Sequence, residues 1–286
     1  MVLIMKNDNL GDRMKAFEKA LEPKLSSEDT IIARIDGKAF HTFTKGLNRP
    51  YDINLSDLMT DTTKFLVEET NSRIGYTQSD EITLVFYPES INSYIFFNGK
   101  FSKLTSILAS LTTYYFNKNL EKYLPSKKDN MALFDCRVFN VPNKLEAVNC
   151  LIWRELDARK NSISMAAQSV YSHNELLKKN SKEKIEMLKD KGIDWHSYPM
   201  FFKHGTYLQR VKKLSKFTCD ELANLPEKHA ARKDPNLIFQ RSVVDRLELA
   251  YPLIKYSNKL EIVFEGASPL ITDYYSDEYI NVKALK

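Results

Sequence analysis

Apolar residues recur at helical spacing in four stretches of the chain. In the first stretch, Leu10, Met14, Phe17 and Leu21 are separated by three or four positions, which puts them on one face of an α-helix. Pro23 ends this stretch, because proline cannot donate the backbone hydrogen bond that continues a helix. The same spacing predicts helices over residues 9–21, 55–69, 100–123 and 145–160.

Segments with strand character lie between these helices. Residues 30–36 are rich in β-branched side chains, and their alternation puts Ile35 on one face of a strand and Arg34 and Asp36 on the other. Strands are predicted over residues 30–36, 81–87 and 131–141, and residues 90–96 form either a further strand or the approach to the next helix. This order of elements predicts an α+β fold of the split βαβ, ferredoxin-like type, with helices on one face of the sheet.

The composition of the chain changes after residue 161. Residues 178–191 hold six lysines against three acids, and residues 203–216 hold five Lys and Arg and no acid. The first run fits a solvated helix face as well as it fits RNA contact, whereas aromatic residues beside the second run favour a phosphate-binding surface. We therefore predict one domain over residues 1–161 and a basic, mainly helical region over residues 162–286 that contacts phosphates. Its predicted RNA contacts are Lys203, Arg210, Lys212 and Lys213.

Composition excludes several classes of function. The chain has 286 residues, a formal net charge of +5 and only 8 glycines, and neither G-x-G-x-x-G nor G-x-x-x-x-G-K-[ST] occurs, so a nucleotide is not held by a glycine-rich loop. Three cysteines and five scattered histidines argue against a disulfide framework and a zinc site. No apolar run reaches the roughly 18 residues of a membrane span, and the opening residues are too few for a signal-peptide core. A cytoplasmic location is therefore expected.

Carboxylates stand where two of the predicted strands begin or end. Asp36 closes the first strand just before Gly37, and Asp80 and Glu81 open the second. Strand alternation predicts that only one of these two neighbouring acids shares a site with Asp36, and Asp36 and Asp80 converge if the strands are adjacent. Hard oxygen ligands without nearby His or Cys select Mg²⁺ or Mn²⁺. The alternative is a turn-forming Asp36 paired with Arg34, beside a capped hairpin.

Five motifs follow one another in a recognisable order. They are R-x-D-G-x-x-F-H-x-F-T at residues 34–44, R-P-x-D at 49–52, Q-S-D-E at 78–81, F-D-x-R at 134–137 and W-R-x-x-D-x-x-x-N at 153–161. The order and spacing resemble those of the tRNA-His guanylyltransferase family, including its 3′-to-5′ polymerase relatives that repair tRNA 5′ ends. The F-K-x-G stretch at residues 202–205 is similar to a later element of that family.

The resemblance implies a fold, a reaction and a set of functional residues. The fold is similar to the palm of 5′-to-3′ polymerases, with two Mg²⁺ ions held by Asp36, the Gly37 carbonyl and Asp80, and with Glu81 as the second acid of the catalytic triplet. A 5′-monophosphate is activated with ATP, and the 3′-hydroxyl of an incoming GTP or other NTP then attacks it. The implied nucleotide contacts are Asp36, Gly37, Lys38, Ala39, Phe40, His41, Arg49, Asp52, Ser79, Asp80 and Lys103. The family also implies a palm-like catalytic domain over residues 1–161, a fingers-like RNA-binding region over residues 162–286, and a homotetramer.

One face of the last predicted helix carries Arg154, Asp157 and Asn161. These residues form either an ion pair with a terminal cap or, as the resemblance implies, a contact surface for tRNA or tRNA-like RNA. Eukaryotic members that add G to tRNA-His carry H-I-N-N at the end of this helix, whereas residues 158–162 contain no histidine. This difference favours templated addition or 5′-end repair. A palm-type nucleotide cyclase and a non-catalytic RNA-binding protein on the same scaffold remain the alternatives.

Overall fold

A six-stranded antiparallel sheet forms the centre of the protein, with the strand order β4-β1-β3-β2-β5-β6. The structure is a computed structural model that describes residues 9–20, 22–23, 25–26, 28–88, 95–234 and 236–271. The strands are β1 Thr30–Gly37, β2 Ile74–Gln78, β3 Glu81–Phe86, β4 Phe134–Val141, β5 Thr206–Lys216 and β6 Ile238–Leu247. The first four strands follow the ferredoxin-like order, which confirms the predicted α+β fold class.

The predicted helices are present, and several shorter ones accompany them. The helices are α1 Leu10–Ala20, α2 Phe40–Phe43, α3 Ile53–Thr70, α4 Phe101–Lys118, α5 Leu120–Tyr123, α6 Lys144–Gln168, α7 His173–Leu176, α8 Ser181–Asp190, α9 Met200–His204, α10 Cys219–Asn224, α11 Ala230–Lys233 and α12 Lys259–Glu265. Asn119 separates α4 from α5 within the single helix that was predicted over residues 100–123. The segment predicted at residues 90–96 lies mostly outside the described residues.

Helices cover both faces of the sheet. Ile35 of β1 packs in one apolar cluster with α3 and α4, whereas Ile32 packs in a second cluster with Leu151 of α6 and Ile262 of α12. The prediction of helices on one face only was wrong. The physical reason is that the buried part of β1 is apolar on both sides, so each side requires a helix to exclude water.

The C-terminal part of the chain contributes two long strands to the sheet. Strand β5 pairs with β2, and β6 pairs with β5 over ten residue pairs. The prediction of a mainly helical C-terminal region was therefore wrong for these segments, because lysines on the outer half of β5 obscure its alternation. The boundary predicted at residue 161 falls inside α6, which continues because Ile163 and Ala166 pack against Leu188 and Trp195.

Candidate active site

The strand register brings acidic side chains together at one end of the sheet. Asp36 at the end of β1 stands directly opposite Glu81 of β3 on one side and Asp135 of β4 on the other. Ser79 and Asp80 form the two-residue turn between β2 and β3, and the Gly37 N–H donates a hydrogen bond to the Asp80 carbonyl at 3.2 Å. This bond fixes the turn beside the end of β1.

Asp36, Asp80 and Glu81 all line one open cleft of about 510 Å³. The sequence predicted that Asp36 and Asp80 converge if their strands are adjacent, and β1 and β3 are neighbours in the sheet. The expectation that only one of the two adjacent acids faces this site was wrong. Asp80 lies in the turn, where Ser79 has a positive φ of 50°, so the alternation of a regular strand does not apply to it.

Burial controls the electrostatics of the two acids from the hairpin. Burial raises the pKa of Asp80, a hydrogen bond with Ser79 opposes the shift, and the neighbouring Asp36 carboxylate adds to it. Burial also raises the pKa of Glu81, and the hydrogen bonds and charge of Arg154 oppose that shift. The carboxylates of Asp36 and Asp80 therefore repel one another in a partly desolvated cleft, and a bound cation would relieve that repulsion.

The donors at the strand end suit Mg²⁺. Asp36 and Asp80 offer carboxylate oxygens and Gly37 offers a main-chain carbonyl, all of them hard ligands. Within the described residues, no cluster of three or more His, Cys, Asp or Glu side chains has the geometry of a metal site. Two carboxylates are nevertheless the usual protein contribution to Mg²⁺ that is completed by substrate phosphates and water. The residues present thus fit a metal that binds together with a nucleotide.

Arg154 of α6 holds Glu81 in place. Its Nε donates to Oε1 of Glu81 at 2.6 Å and its Nη2 donates to Oε2 at 2.8 Å, while Nη2 also reaches Asp157 Oδ2 at 2.8 Å. Asn161 Nδ2 donates to the same Asp157 oxygen at 3.4 Å. Because Arg154 is only 6% exposed, its prediction as an RNA contact is corrected to a support for Glu81. Asp157 and Asn161 line the cleft.

The segment after Asp36 turns away from the sheet through a short helix. Ala39 has a positive φ of 52° and stands just before α2. A Cβ atom added to residue 37 would lie 2.3 Å from Cδ2 of the Phe40 ring, which is closer than real Cβ contacts. The packing of Phe40 therefore requires glycine at position 37. The Phe40 ring is buried against Phe116 and Phe134, so only its main chain can contact a nucleotide, and the predicted contact stays a prediction. Lys38 and His41 are exposed beside the strand end.

Asp52 has a structural task that the resemblance did not imply. Its Oδ1 accepts hydrogen bonds from the N–H groups of Asn54 and Leu55 at 3.0 and 3.1 Å, which caps the start of α3. Its Oδ2 accepts two more from Asn48. The prediction of Asp52 as a nucleotide contact is therefore corrected, because both oxygens are already used. Arg49 is exposed in the preceding loop.

Within one chain, Lys103 lies far from the carboxylates of Asp36 and Asp80. Asn117, near the end of α4, bonds to Ala132 close to β4 and the strand-end acids. Lys103 stands in the first turn of α4, about 21 Å from Asn117 along the helix axis at 1.5 Å per residue. The chain does not bring this predicted triphosphate contact to the cleft.

The predicted basic RNA contacts do not line the cleft either. Lys203 Nζ donates to the His196 carbonyl at 2.6 Å, and Lys213 pairs with Asp245. Arg210 donates to the last carbonyls of α3, those of Val67 and Glu68, and so stabilises the C-terminus of that helix. Lys212 lines a separate pocket between β5 and the end of β3. All four of these residues thus lie away from the cleft, and each has a partner within its own chain.

The cleft includes residues that the sequence did not single out for this site. Ser164, Met165 and Gln168 continue its wall along α6 beyond Asn161. Their spacing of three or four positions is the signal that places them on the same helix face. Arg34 also lines the cleft, and its guanidinium lies 5.5 Å from the centre of the Trp153 ring.

Comparisons with known proteins agree with this arrangement. A family model described as tRNAHis guanylyltransferase matches residues 11–142. The tRNA(His) guanylyltransferase of Schizosaccharomyces pombe is 30% identical over 207 residues, which cover 68% of this chain and 77% of the relative. No helix among the described residues is both long enough and apolar enough to cross a membrane.

Solved structures show the same similarity. A bacterial tRNA(His) guanylyltransferase-like protein in complex with ATP has a TM-score of 0.67 and 35% identity, covering 70% of this chain and 88% of that one. Such a protein in complex with GTP has a TM-score of 0.63 and 30% identity, covering 83% and 91%. These structures confirm the predicted palm-like fold. The chain belongs to the tRNA-His guanylyltransferase family, whose members are nucleotidyltransferases.

Proposed function

We propose that this protein is a Mg²⁺-dependent nucleotidyltransferase that adds nucleotides in the 3′-to-5′ direction to the 5′ end of tRNA or tRNA-like RNA. The observation that carries the proposal is the placement of Asp36, Asp80 and Glu81 in one open cleft at the strand ends. The bound ATP and GTP of the bacterial relatives support these nucleotides as substrates.

The reaction has two transfers. An oxygen of the RNA 5′-monophosphate attacks the α-phosphorus of ATP, and pyrophosphate leaves. The 3′-hydroxyl of the incoming NTP then attacks the activated 5′-phosphorus, AMP leaves, and a new phosphodiester bond forms. An RNA that carries a 5′-triphosphate omits the first transfer, and pyrophosphate then leaves in place of AMP.

The residues of the chain contribute orientation and electrostatic stabilisation. Asp36, the Gly37 carbonyl and Asp80 would hold Mg²⁺, which supplies activation of the attacking hydroxyl and stabilises the charge of the leaving phosphate. Glu81 is kept in a fixed position by its two hydrogen bonds from Arg154. We propose that Lys38 and His41 contact the nucleotide, because they are exposed next to the end of β1 that would bind the metal.

The proposal also includes the type of RNA substrate, the oligomeric state and the cellular location. The absence of histidine from residues 158–162 supports 5′-end repair or templated addition in preference to a reaction restricted to tRNA-His. A homotetramer and a cytoplasmic location are proposed from the family resemblance and the sequence, and they stay predictions.

The test measures the incorporation of labelled GTP into tRNA-His and into several 5′-truncated tRNAs, with ATP and Mg²⁺ present. D36A and D80A are expected to lose incorporation by at least about a hundredfold while keeping their thermal stability, because each removes a metal ligand. D190A is the matched control, because Asp190 is exposed at the end of α8. Full activity in both variants, or a cyclic nucleotide formed from NTP alone, would contradict the proposal.

A further inference from the structure

The segment before β4 borders the candidate active site at the edge of the sheet. Strand β4 is an edge strand, and its first residue, Phe134, stands opposite Gly37. The N–H of Lys38 donates to the Leu133 carbonyl at 2.8 Å, so residues 131–133 lie alongside the residues that follow β1. Because β3 is the other neighbour of β1, this segment borders the end of β1 on the side away from the β2–β3 turn.

Two apolar side chains of this segment are exposed. Met131 is 74% exposed and Leu133 is 42% exposed, whereas the residues that alternate with them are buried. The alternation continues into β4, where the exposed Asp135 stands directly opposite Asp36. Met131 and Leu133 therefore lie on the same side of the sheet as the strand-end acids, where they offer apolar contact area.

Lysines lie beside these apolar side chains. Lys127 Nζ donates to the Lys45 carbonyl at 2.6 Å and lies 5.8 Å from the centre of the Phe43 ring. These contacts hold the loop after α5 against the end of α2. Lys45 and its neighbour across this contact, Lys128, are both exposed. The loop and the end of α2 thus form one surface with the segment before β4.

This surface is basic. We call it the edge surface and define it by five side chains, Lys45, Lys127, Lys128, Met131 and Leu133. Its two segments, residues 38–49 and 124–134, together hold five Lys and Arg against one acid, Asp129. Cations that alternate with exposed apolar side chains are typical of nucleic-acid surfaces, because the cations contact phosphates and the apolar groups contact the flat faces of bases.

The opposite wall of the cleft lacks such cations. Arg154 on that wall is bonded to Glu81, and beyond it the lining residues of α6 are Asp157 and neutral side chains. No residue of the edge surface lines the cleft itself. A molecule that contacts both must therefore extend over the rim of the cleft, which favours a polymer over a nucleoside triphosphate.

The proposed reaction places the 5′ end of the RNA at the strand-end carboxylates, so the adjoining nucleotides lie near the rim of the cleft. We propose that the edge surface binds the RNA strand that leads to the reacting 5′ end, with phosphates on the lysines and bases or sugars on the apolar side chains. This inference rests on the proposed function and names the surface that holds the RNA.

The test measures RNA affinity by fluorescence anisotropy without NTP, between about 50 and 200 mM salt. The RNA is a tRNA that lacks its first nucleotide and carries a 5′-monophosphate and a 3′ label. K45Q and K128Q should each weaken binding several-fold at the lower salt concentration. Each should also make the slope of log affinity against log salt shallower by about 0.7–0.9, because one phosphate contact is lost.

Two further variants separate the apolar contacts from the charge. M131S should weaken binding several-fold with an unchanged salt slope, because it removes an apolar contact and no cation. K64Q is the matched control for charge, since Lys64 is exposed on α3, where it pairs with Glu68, and its affinity and slope should equal those of wild type. The changed side chains are exposed, so loss of the fold does not imitate loss of binding.

Several results would overturn the inference. They are wild-type affinity in both K45Q and K128Q, wild-type affinity in M131S, or an effect of K64Q as large as that of K45Q. A raised KM for GTP with unchanged RNA affinity would assign the surface to the nucleotide. A changed oligomeric mass with unchanged RNA affinity would assign it to contact between copies of the chain. A wild type that binds RNA through this surface but incorporates no nucleotide would contradict only the proposed function.

Discussion

Arg154 and Glu81 form a buried, doubly hydrogen-bonded ion pair that joins α6 to the hairpin of the candidate active site. The two side chains are only 8% and 9% exposed. Removing one partner of such a pair leaves a buried charge without compensation, whereas removing both can be nearly neutral for stability. The pair is therefore a place where stability and activity can be separated by mutation.

The first prediction concerns this pair. R154M should lower the free energy of unfolding by about 3–5 kcal/mol, because Glu81 then stays buried without its partner. E81Q/R154M should recover most of that loss but should not recover nucleotide incorporation. Urea unfolding and the GTP incorporation assay measure the two effects. A loss below about 1 kcal/mol in R154M would show that the pair is solvated in solution.

The second prediction concerns pH and Glu155. Burial raises the pKa of Glu155 from 4.5 to about 8, although the Leu253 N–H donates to its carboxyl group at 2.8 Å. Between these two values the folded chain binds a proton that the unfolded chain has released, so stability falls as pH rises from about 4.5 to about 8. The expected decrease is on the order of a few kcal/mol.

The neutral isostere E155Q isolates this contribution. Its stability relative to wild type should increase from pH 5 to pH 8.5, since Gln has no proton to lose and can still accept the Leu253 hydrogen bond. Urea unfolding at each pH gives the free energy of unfolding of both proteins. In the difference between the two values, the contributions of all other titrating groups cancel. Parallel pH profiles for the two proteins would mean that Glu155 is not buried as described.

The third prediction tests whether Asp52 only caps α3 or also contacts the nucleotide. D52A should cost about 1–2 kcal/mol of stability, because the first turn of α3 loses its cap. D52N should cost less than D52A, because its one side-chain oxygen keeps the cap while its amide nitrogen gives up the hydrogen bonds that Oδ2 accepts from Asn48. Neither change should alter the KM for GTP beyond the effect of unfolding. A raised KM in a fully folded D52N would return Asp52 to the nucleotide site.

The main features of the site could be predicted from the sequence. Asp36 and Asp80 were found because carboxylates at strand ends, next to Gly37 and within ordered motifs, are an unusual and local pattern. The partner of Glu81 could not be found in this way. Arg154 is 73 positions away along the chain, and the pairing depends on how α6 packs across the sheet.

The differences between prediction and structure have similar physical causes. Lys103 was assigned by resemblance, and the direction of α4 carries it away from the carboxylates of its own chain. Strand β5 was missed because exposed lysines occupy both of its faces where it extends beyond β2. In both cases the deciding information is the position of one element relative to another, which local spacing does not contain.

The last prediction concerns Gly37. A methyl group at this position would lie 2.3 Å from the Phe40 ring, and that ring is held by Phe43, Phe116 and Phe134. G37A should therefore destabilise the fold by about 1–3 kcal/mol through overpacking and should displace the turn that carries the proposed metal-binding carbonyl.

A second substitution distinguishes this overpacking from a general intolerance of alanine. G37A/F40L should regain part of the lost stability, because the smaller side chain leaves room for the methyl group, while GTP incorporation should stay low as long as the turn is displaced. G11A is the matched control, since Gly11 lies in the exposed helix α1 with its nearest neighbour at 3.5 Å, and alanine there should be neutral or slightly stabilising. Thermal unfolding measures all three. A G37A protein with the stability of wild type would show that Phe40 can move aside without cost.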